Sequence, residues 1–315
     1  MFDYVIVGGG TAACVLANRL TANGQCRVLL LEAGGKPTSP WIRIPAGFTK
    51  LLVNPVYNWR FETQPEDNVL GRQIAIPRGR GLGGSSLING MIYVHGQPGD
   101  YDQWSALGAT GWSAQTVLPY FSKLETYAFA QGKRGTSGPM HIDQVRERFP
   151  ISSALMQAAR EAGYPENPDY NGSDQEGFGY YQVAQKDGQR WSAYDGYLKP
   201  ALARPNLDVQ TDAMVVRLEF EGKRCTGVTY KQGGQLKTVK AAKEVILAAG
   251  AVQSPQLLEV SGVGDPDRLS RLGIKVVHAS PEVGENYQDH FATRMNWRVH
   301  GVKTLNETTR GLSLV

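Results

Sequence analysis

The chain has 315 residues, of which 41% are hydrophobic and 20% charged, and this balance excludes a disordered or fibrous protein. The formal net charge of +4 is not gathered into long basic runs, so neither nucleic-acid binding nor a membrane-binding basic patch is indicated. The three cysteines lack C-x-x-C spacing, and no 18-residue apolar span or signal region is present. We therefore expect a cytoplasmic protein of about two domains that binds a small molecule, without a membrane span or metal site.

The first 32 residues predict a strand–helix–strand unit. An apolar strand that ends at Val7 precedes three glycines, a helical pattern that continues to Leu20, and a second apolar strand over residues 28–31. Parallel strands that are covered on both faces have apolar runs of this kind. The pattern therefore favours an α/β protein with a parallel, doubly wound sheet.

The rest of the chain mixes irregular, helical and strand-like segments. Five prolines in residues 36–65 indicate a loop excursion over a cofactor or substrate, which ends at a short strand over residues 73–76. The apolar residues in 102–125 have the spacing of one or two amphipathic helices, and those in 151–163 have the spacing of another. Residues 167–187 are rich in Gly, Asn and Tyr and are predicted to form a loop. Further strands, which include a β-meander, are predicted over residues 207–210, 215–220, 225–230, 238–239 and 244–250.

Residues 8–13 have the pattern G-x-G-x-x-A between the first predicted strand and helix. In that context bare glycine backbone and a helix N-terminus bind a pyrophosphate. Glu32, at the end of the second strand, stands where a carboxylate accepts hydrogen bonds from an adenosine ribose. The motif predicts a dinucleotide site, and the alternative is a turn that serves only helix–strand packing.

A second glycine cluster occupies residues 78–91, which we call segment 78–91. It contains G-x-G-x-x-G from Gly79 to Gly84, but Pro77 closes the strand before it and no parallel strand follows. A second dinucleotide fold is therefore not predicted. We expect its backbone to lie against a planar ring while Ser85, Asn89 and main-chain amides make polar contacts, with an ordinary surface loop as the alternative.

Segment 78–91 resembles the first signature of the glucose-methanol-choline (GMC) family of FAD-dependent oxidoreductases, and residues 250–264 resemble the second. Shorter choline dehydrogenase-like matches at residues 101–104, 119–121, 204–207 and 283–290 follow in family order. The resemblance implies a Rossmann-like FAD-binding domain, with parallel sheet and β-meander, over residues 1–150 and 200–290. It implies an interleaved, incomplete substrate domain with antiparallel sheet over residues 151–199 and 291–315, whose remainder is expected beyond residue 315.

The resemblance also implies an FAD site whose residues follow the cofactor from end to end. The pyrophosphate set is Gly8, Gly10, Thr11 and Ala12, and the adenosine set is Glu32, Ala33, Val215, Ala249 and Gly250. The set along the linker is Arg78, Gly83, Gly84 and Ser85, and the isoalloxazine set is Asn89, Gly90, Met91 and Ile92. Some members attach FAD through a histidine just before the asparagine of the motif. Because that position is Ile88 here, FAD is expected to be non-covalent.

The implied reaction is oxidation of an alcohol to an aldehyde or ketone, in which a base takes the hydroxyl proton and hydride passes to flavin N5. No catalytic residue is assigned, because the base is expected beyond Val315, in a complementary C-terminal segment or chain. His290 lies in a family-like motif and is considered both as a base and as a structural residue. Two alternatives remain: a non-redox member such as a hydroxynitrile lyase or photodecarboxylase, and an FAD-binding fragment active only with its C-terminal half.

Overall fold

The computed structural model describes residues 1–290, 292–293, 295–302 and 304. The chain divides into two compact units, here called unit 1 and unit 2. Unit 1 comprises Met1–Met91 and Gln189–Gln288, and unit 2 comprises Ile92–Gly188 and Asp289–Val315. Residues 92–150 thus pack in unit 2, although the sequence assigned them to the FAD-binding domain. The functional domain limits stay predictions, because compactness defines packing and not function, and most of the predicted range 291–315 lies outside the described residues.

The described residues form strands of two to thirteen residues and α-helices of three to twelve residues. The strands are β1 (Phe2–Val7), β2 (Val28–Leu31), β3 (Phe61–Glu62), β4 (Ala75–Ile76), β5 (Glu125–Tyr127), β6 (Met140–Gln144), β7 (Gln182–Val183), β8 (Gln185–Lys186), β9 (Gln189–Arg190), β10 (Leu207–Gln210), β11 (Met214–Glu221), β12 (Arg224–Gln232), β13 (Gln235–Leu247), β14 (Val263–Gly264) and β15 (His278–Ala279). The helices are α1 (Thr11–Leu20), α2 (Pro40–Arg43), α3 (Phe48–Leu51), α4 (Pro98–Ala106), α5 (Ala114–Leu124), α6 (Pro150–Glu161), α7 (Lys199–Ala201), α8 (Gly250–Val260) and α9 (Pro266–Arg271).

Unit 1 is built on a six-stranded sheet of order β10-β2-β1-β13-β12-β11. The first four strands are parallel, with Val7 opposite Leu31 on one side and Leu247 on the other. The last three form an antiparallel meander. The predicted parallel sheet with a β-meander is therefore confirmed.

Strand β13 belongs to both parts of this sheet. Its first half, to Lys240, pairs antiparallel with β12, and its second half, from Ala241, pairs parallel with β1. The sequence predicted two separate strands here, and that prediction was wrong. Exposed lysines at the junction, Lys240 and Lys243, interrupt the apolar pattern although the backbone continues unbroken.

The core of unit 1 lies against this sheet. Val5, Val7, Leu29 and Leu31 project to one side and pack with residues of the meander and of α8. Ile6 and Leu30, which alternate with them, are equally buried. Both faces of the central strands are thus covered, which explains their continuous apolar runs.

Unit 2 has a smaller sheet in which β5 and β6 are parallel and β6 and β7 are antiparallel. The helical pattern over residues 102–125 forms two helices, because Gly108 and Gly111 adopt φ of +108° and +87° between them. The predicted loop over residues 167–187 also contains β7 and β8. No helix among the described residues is long and apolar enough to span a membrane.

Candidate functional site

A cleft of about 650 Å³ opens in unit 1 where β1, β2 and β13 end and α1 and α8 begin. Backbone from both glycine-rich segments forms part of its wall. Twelve of the seventeen predicted cofactor-binding residues line this cleft: Gly8, Gly10, Thr11, Ala12, Glu32, Ala33, Arg78, Gly84, Ser85, Val215, Ala249 and Gly250.

The N-terminus of α1 faces this cleft with unused hydrogen-bond donors. Gly10 is the N-cap, no side chain caps this helix end, and its first turn carries no acidic residue. The first main-chain donor with a partner in the helix is Cys14 N–H, which bonds to Gly10 O at 3.0 Å. The amides that precede it, together with the positive end of the helix dipole, fit an anionic ligand such as a pyrophosphate.

The glycines of this turn have different structural duties. Gly8 has φ of +93°, and a Cβ there would lie 2.7 Å from Ala248 O, so the fold itself requires glycine. At Gly10 a Cβ would meet only Ala248 O, at 3.9 Å. The fold therefore leaves room at Gly10, on the cleft side, that a ligand can use.

The carboxylate of Glu32 accepts hydrogen bonds from main-chain N–H groups in three loop segments. Oε2 accepts a hydrogen bond from Gly9 N–H at 2.6 Å, and Oε1 accepts from the N–H groups of Gly34 and Gly81 at 2.7 and 2.9 Å. The residue is only 6% exposed, although it lines the cleft. A carboxylate has about four acceptor positions. Three are occupied by main chain, so about one remains for a ligand hydroxyl.

Segment 78–91 packs backbone to backbone against the first glycine turn. Gly83 N–H donates to Gly9 O at 2.8 Å, and a Cβ on Gly84 would lie 2.7 Å from Gly10 Cα. Within the segment, Gly79 N–H donates to Ser85 Oγ at 3.0 Å, and a 3₁₀ turn covers Gly84–Leu87. The absence of side chains at both glycines is what permits this contact.

Five predicted cofactor-binding residues do not line the cleft. Gly83 is buried behind it, and Asn89 and Gly90 are exposed further along the segment. Met91 is buried and has φ of +63°. Ile92 belongs to unit 2. Their contacts with a cofactor stay predictions.

Several residues that the sequence analysis did not single out also form the cleft wall. Trp59 and Phe61 stack with parallel rings whose centroids lie 5.9 Å apart, and the guanidinium of Arg80 lies 5.1 Å from the Trp59 centroid. Gln253 and Ser254 line the cleft from α8. These two lie in the second signature, residues 250–264, although no contact was assigned to them, and Trp59 lies in the proline-rich excursion that was expected to cover a ligand.

The thiol of Cys14 lies behind the glycine turn and is uncharged at neutral pH. Burial raises its pKa to about 12, and its Sγ lies 3.5 Å from Gly9 O. A thiolate here would oppose an anionic ligand at the same helix end. Its high pKa preserves the positive potential of the α1 N-terminus.

Among the described residues, no contact is seen that would make the His290 imidazole a catalytic base. His290 is exposed, and its main-chain N–H donates to Asp289 Oδ1 at 2.8 Å. His95, in unit 2, is buried beside Tyr93, and desolvation lowers the pKa of its imidazole. A catalytic role for His290 stays a prediction.

Similarity to known proteins is extensive over this chain. The sequence profile of the family described as GMC oxidoreductase matches residues 2–292. Oxygen-dependent choline dehydrogenase of Brucella anthropi is 43% identical over 290 residues, which cover 92% of this chain and 53% of the relative. The mitochondrial choline dehydrogenase of Homo sapiens is 44% identical over 298 residues, which cover 92% of this chain and 50% of the relative.

A solved structure shares the fold. The FAD-dependent oxidoreductase from Chaetomium thermophilum superposes with a TM-score of 0.86 at 32% identity, covering 92% of this chain and 52% of that one. The chain spans about half the length of the curated relatives that it matches. Because the family profile matches residues 2–292, the chain belongs to the GMC oxidoreductase family.

Proposed function

We propose that this chain supplies the FAD-binding part of an enzyme that oxidises a small alcohol to an aldehyde or ketone. The observation that carries the proposal is the uncapped α1 N-terminus, which opens into a cleft walled by both glycine-rich segments. The donors at the helix N-terminus match a pyrophosphate, and the cleft volume of about 650 Å³ lies within the range of small-molecule and cofactor pockets. Membership of the GMC family and the FAD-dependent relative of known structure support FAD as that dinucleotide.

The proposed contacts follow the order of the predicted sets. Amides of Thr11 and Ala12 bind the pyrophosphate, aided by the room at Gly10. The free acceptor position of Glu32 takes one ribose hydroxyl, so Glu32 serves the cofactor while it holds the loops around it. Val215 and Ala249 line the same cleft and complete the adenosine contacts.

When bound, FAD is the two-electron acceptor, and the protein positions the substrate and provides the groups that accept its proton. The base that takes the hydroxyl proton is not assigned to a residue of this chain, and its location C-terminal to Val315 stays a prediction. The same holds for the complementary C-terminal segment and for a cytoplasmic location.

FAD is proposed to be held without a covalent bond. Ile88, at the attachment position of some family members, is 2% exposed and packs with Ile42, Leu51, Tyr57 and Leu87. The alkyl side chain of Ile88 has no nucleophile that could form a covalent bond to FAD, and it is part of a buried hydrophobic cluster. Acid precipitation is expected to release all flavin into the supernatant, and flavin that stays with the pellet would contradict the assignment.

The test is anaerobic mixing of the FAD-loaded protein with choline and with a panel of primary alcohols, followed by visible spectroscopy. Choline leads the panel because the relatives are named choline dehydrogenases. Tetramethylammonium is the matched control, since it has the same cationic head and no hydroxyl group. We expect at least one alcohol to bleach the flavin band when the complementary C-terminal segment is present, and tetramethylammonium to leave it unchanged. A flavin that is reduced only with that segment would identify this chain as an FAD-binding fragment, and one that no alcohol reduces even then would favour the non-redox alternatives.

A further inference from the structure

Arg190 is a buried arginine of unit 1 that neither glycine motif contains. Its side chain is almost inaccessible, at 3% exposure. Nε donates to Ile42 O at 3.0 Å, and Nη1 donates to Ser86 O and Asn89 Oδ1 at 3.1 and 2.7 Å. Nη2 donates to Asn89 O at 2.7 Å. Three of these four hydrogen bonds thus fix residues 86–89, the part of segment 78–91 that leaves the cleft.

The charge of Arg190 has no carboxylate partner. No acidic group in the described part of the chain forms a salt bridge with this guanidinium, whose acceptors are carbonyl and amide oxygens. Asp195, the acidic residue that acts on it at longer range, is hydrogen-bonded to Ser192. Burial lowers the pKa of Arg190 to about 10, so the group remains charged at neutral pH. A buried cation without an anion is costly, so a negative charge that develops on a ligand near it is stabilised.

The chain path indicates which part of a dinucleotide would come near. Gly84 touches the pyrophosphate end at Gly10, and the 3₁₀ turn then carries the backbone toward Asn89. Asn89 N–H bonds back to Ser85 O at 3.0 Å, so the turn continues as far as Asn89, the first residue of the set that is predicted to lie at the isoalloxazine. Gly90 beside it is exposed, and a Cβ there would meet nothing within 4 Å. Open backbone at this point is suited to a planar ring.

We propose that Arg190 is a positioning residue that orients Asn89 toward the flavin and whose charge favours the reduced cofactor. This inference rests on the proposed function. When an alcohol is oxidised, its carbinol carbon gives two electrons and one proton to the flavin, and its hydroxyl proton passes to a base. The flavin therefore gains one negative charge, which a nearby buried cation stabilises.

The test compares the two-electron midpoint potential of bound FAD in wild type, Arg190→Gln and Arg190→Lys, measured anaerobically against reference dyes. Arg190→Gln removes the charge, and we expect the equilibrium constant for reduction to fall about tenfold, equivalent to about 30 mV. Arg190→Lys keeps the charge and is expected to stay within about threefold of wild type. Arg204→Gln is the control, because Arg204 also bonds neutral acceptors, Asn18 O and Thr21 Oγ1, which lie at the C-terminal end of α1 and not in segment 78–91.

An unchanged potential in Arg190→Gln, or an equal fall in Arg190→Lys, would overturn the proposal. If Arg190→Gln does not fold, Asn89→Asp replaces it, since a carboxylate 2.7 Å from Nη1 neutralises the charge and retains the packing. A lowered potential in Asn89→Asp supports the proposal, and a wild-type potential overturns it. Failure of the wild-type protein to bind FAD would refute the proposed function instead, so the two failures are distinguishable.

Discussion

The two glycine-rich segments reach the same cleft by different means. The first turn, residues 8–13, is held by regular structure: β1 precedes it, α1 follows it, and both neighbours of β1 are parallel strands. Segment 78–91 contains only one short 3₁₀ turn. Its backbone is fixed by hydrogen bonds from side chains at distant positions. Glu32 and Asn58 accept from the main-chain N–H groups of Gly81 and Arg78, and Arg190 donates to the main-chain oxygen of Asn89.

This difference separates two uses of glycine. In the first turn, Gly10 leaves space that the fold does not need, whereas Gly79 and Gly84 allow backbones to touch. Gly10 therefore leaves room that a ligand can use, and the other two serve packing. Mutations at the two places are expected to affect different properties.

The largest effect is expected for Gly79→Ala. A Cβ at this position would lie 2.2 Å from Gly84 O, and a main-chain oxygen cannot move aside cheaply. We expect urea unfolding to show a loss of about 3 kcal/mol or more. Gly90→Ala is the matched control in the same segment, because its Cβ meets nothing within 4 Å, and its stability is expected to change by about 0.5 kcal/mol or less. Equal losses in the two variants would break the distinction.

Gly10→Ala should reverse this pattern. Its Cβ meets one atom, at 3.9 Å, so we expect a stability loss of about 1 kcal/mol or less, that of an unfavourable N-cap. The methyl group takes the room beside the α1 amides, and FAD affinity is expected to fall about 100-fold, or about 2.8 kcal/mol. Fluorescence titration of the apoprotein with FAD measures this. A stable variant with wild-type affinity would show that the room is not used by the cofactor.

Glu32→Gln probes the residue that joins the two segments. A glutamine retains one acceptor oxygen and points an NH₂ group at main-chain donors, so at least one of the three amides loses its partner. The expected loss is about 2 kcal/mol of unfolding free energy, with weaker FAD binding. Glu62→Gln, at an exposed position of β3, is the control. Identical stabilities of the two variants would argue against the role of Glu32 in holding the loops.

Ser85→Ala is expected to have the smallest effect. It removes the Oγ that accepts from Gly79 N–H, a hydrogen bond at an exposed position worth about 1 kcal/mol. Ser85 also lines the cleft, so FAD affinity is expected to fall by a few-fold in the same titration. A loss as large as that of Gly79→Ala would mean that the hydroxyl, and not close backbone packing, fixes this segment.

The first turn could be predicted because its determinants are adjacent in sequence. Apolar runs, three glycines and Glu32 all lie within 32 residues, and the structure places the strand ends at Val7 and Leu31 as expected. The strand pattern did not predict β13 as one strand. Its two halves pair with different neighbours, so apolar and polar residues do not follow one pattern along its whole length. Registers set by partners cannot be inferred from one strand alone.

The contacts that hold segment 78–91 were beyond prediction for a related reason. Arg190 is 101 positions from Asn89 in sequence, and nothing local distinguishes it from an exposed arginine. Glu32 was assigned to a ligand, but its bonds to Gly34 and Gly81 depend on loop paths that have no periodic pattern. The cofactor-binding residues are predicted from motifs, whereas the contacts that support these segments became visible only in three dimensions.

The central claim, that FAD binds with its pyrophosphate on the α1 N-terminus, is tested most directly by amide hydrogen exchange with and without FAD. We predict that the amides of Thr11, Ala12 and Ala13 become strongly protected by FAD, while Gly24, in an exposed turn after the helix, exchanges at the same rate in both states. FAD that binds saturably and leaves these three amides unprotected would contradict the claim.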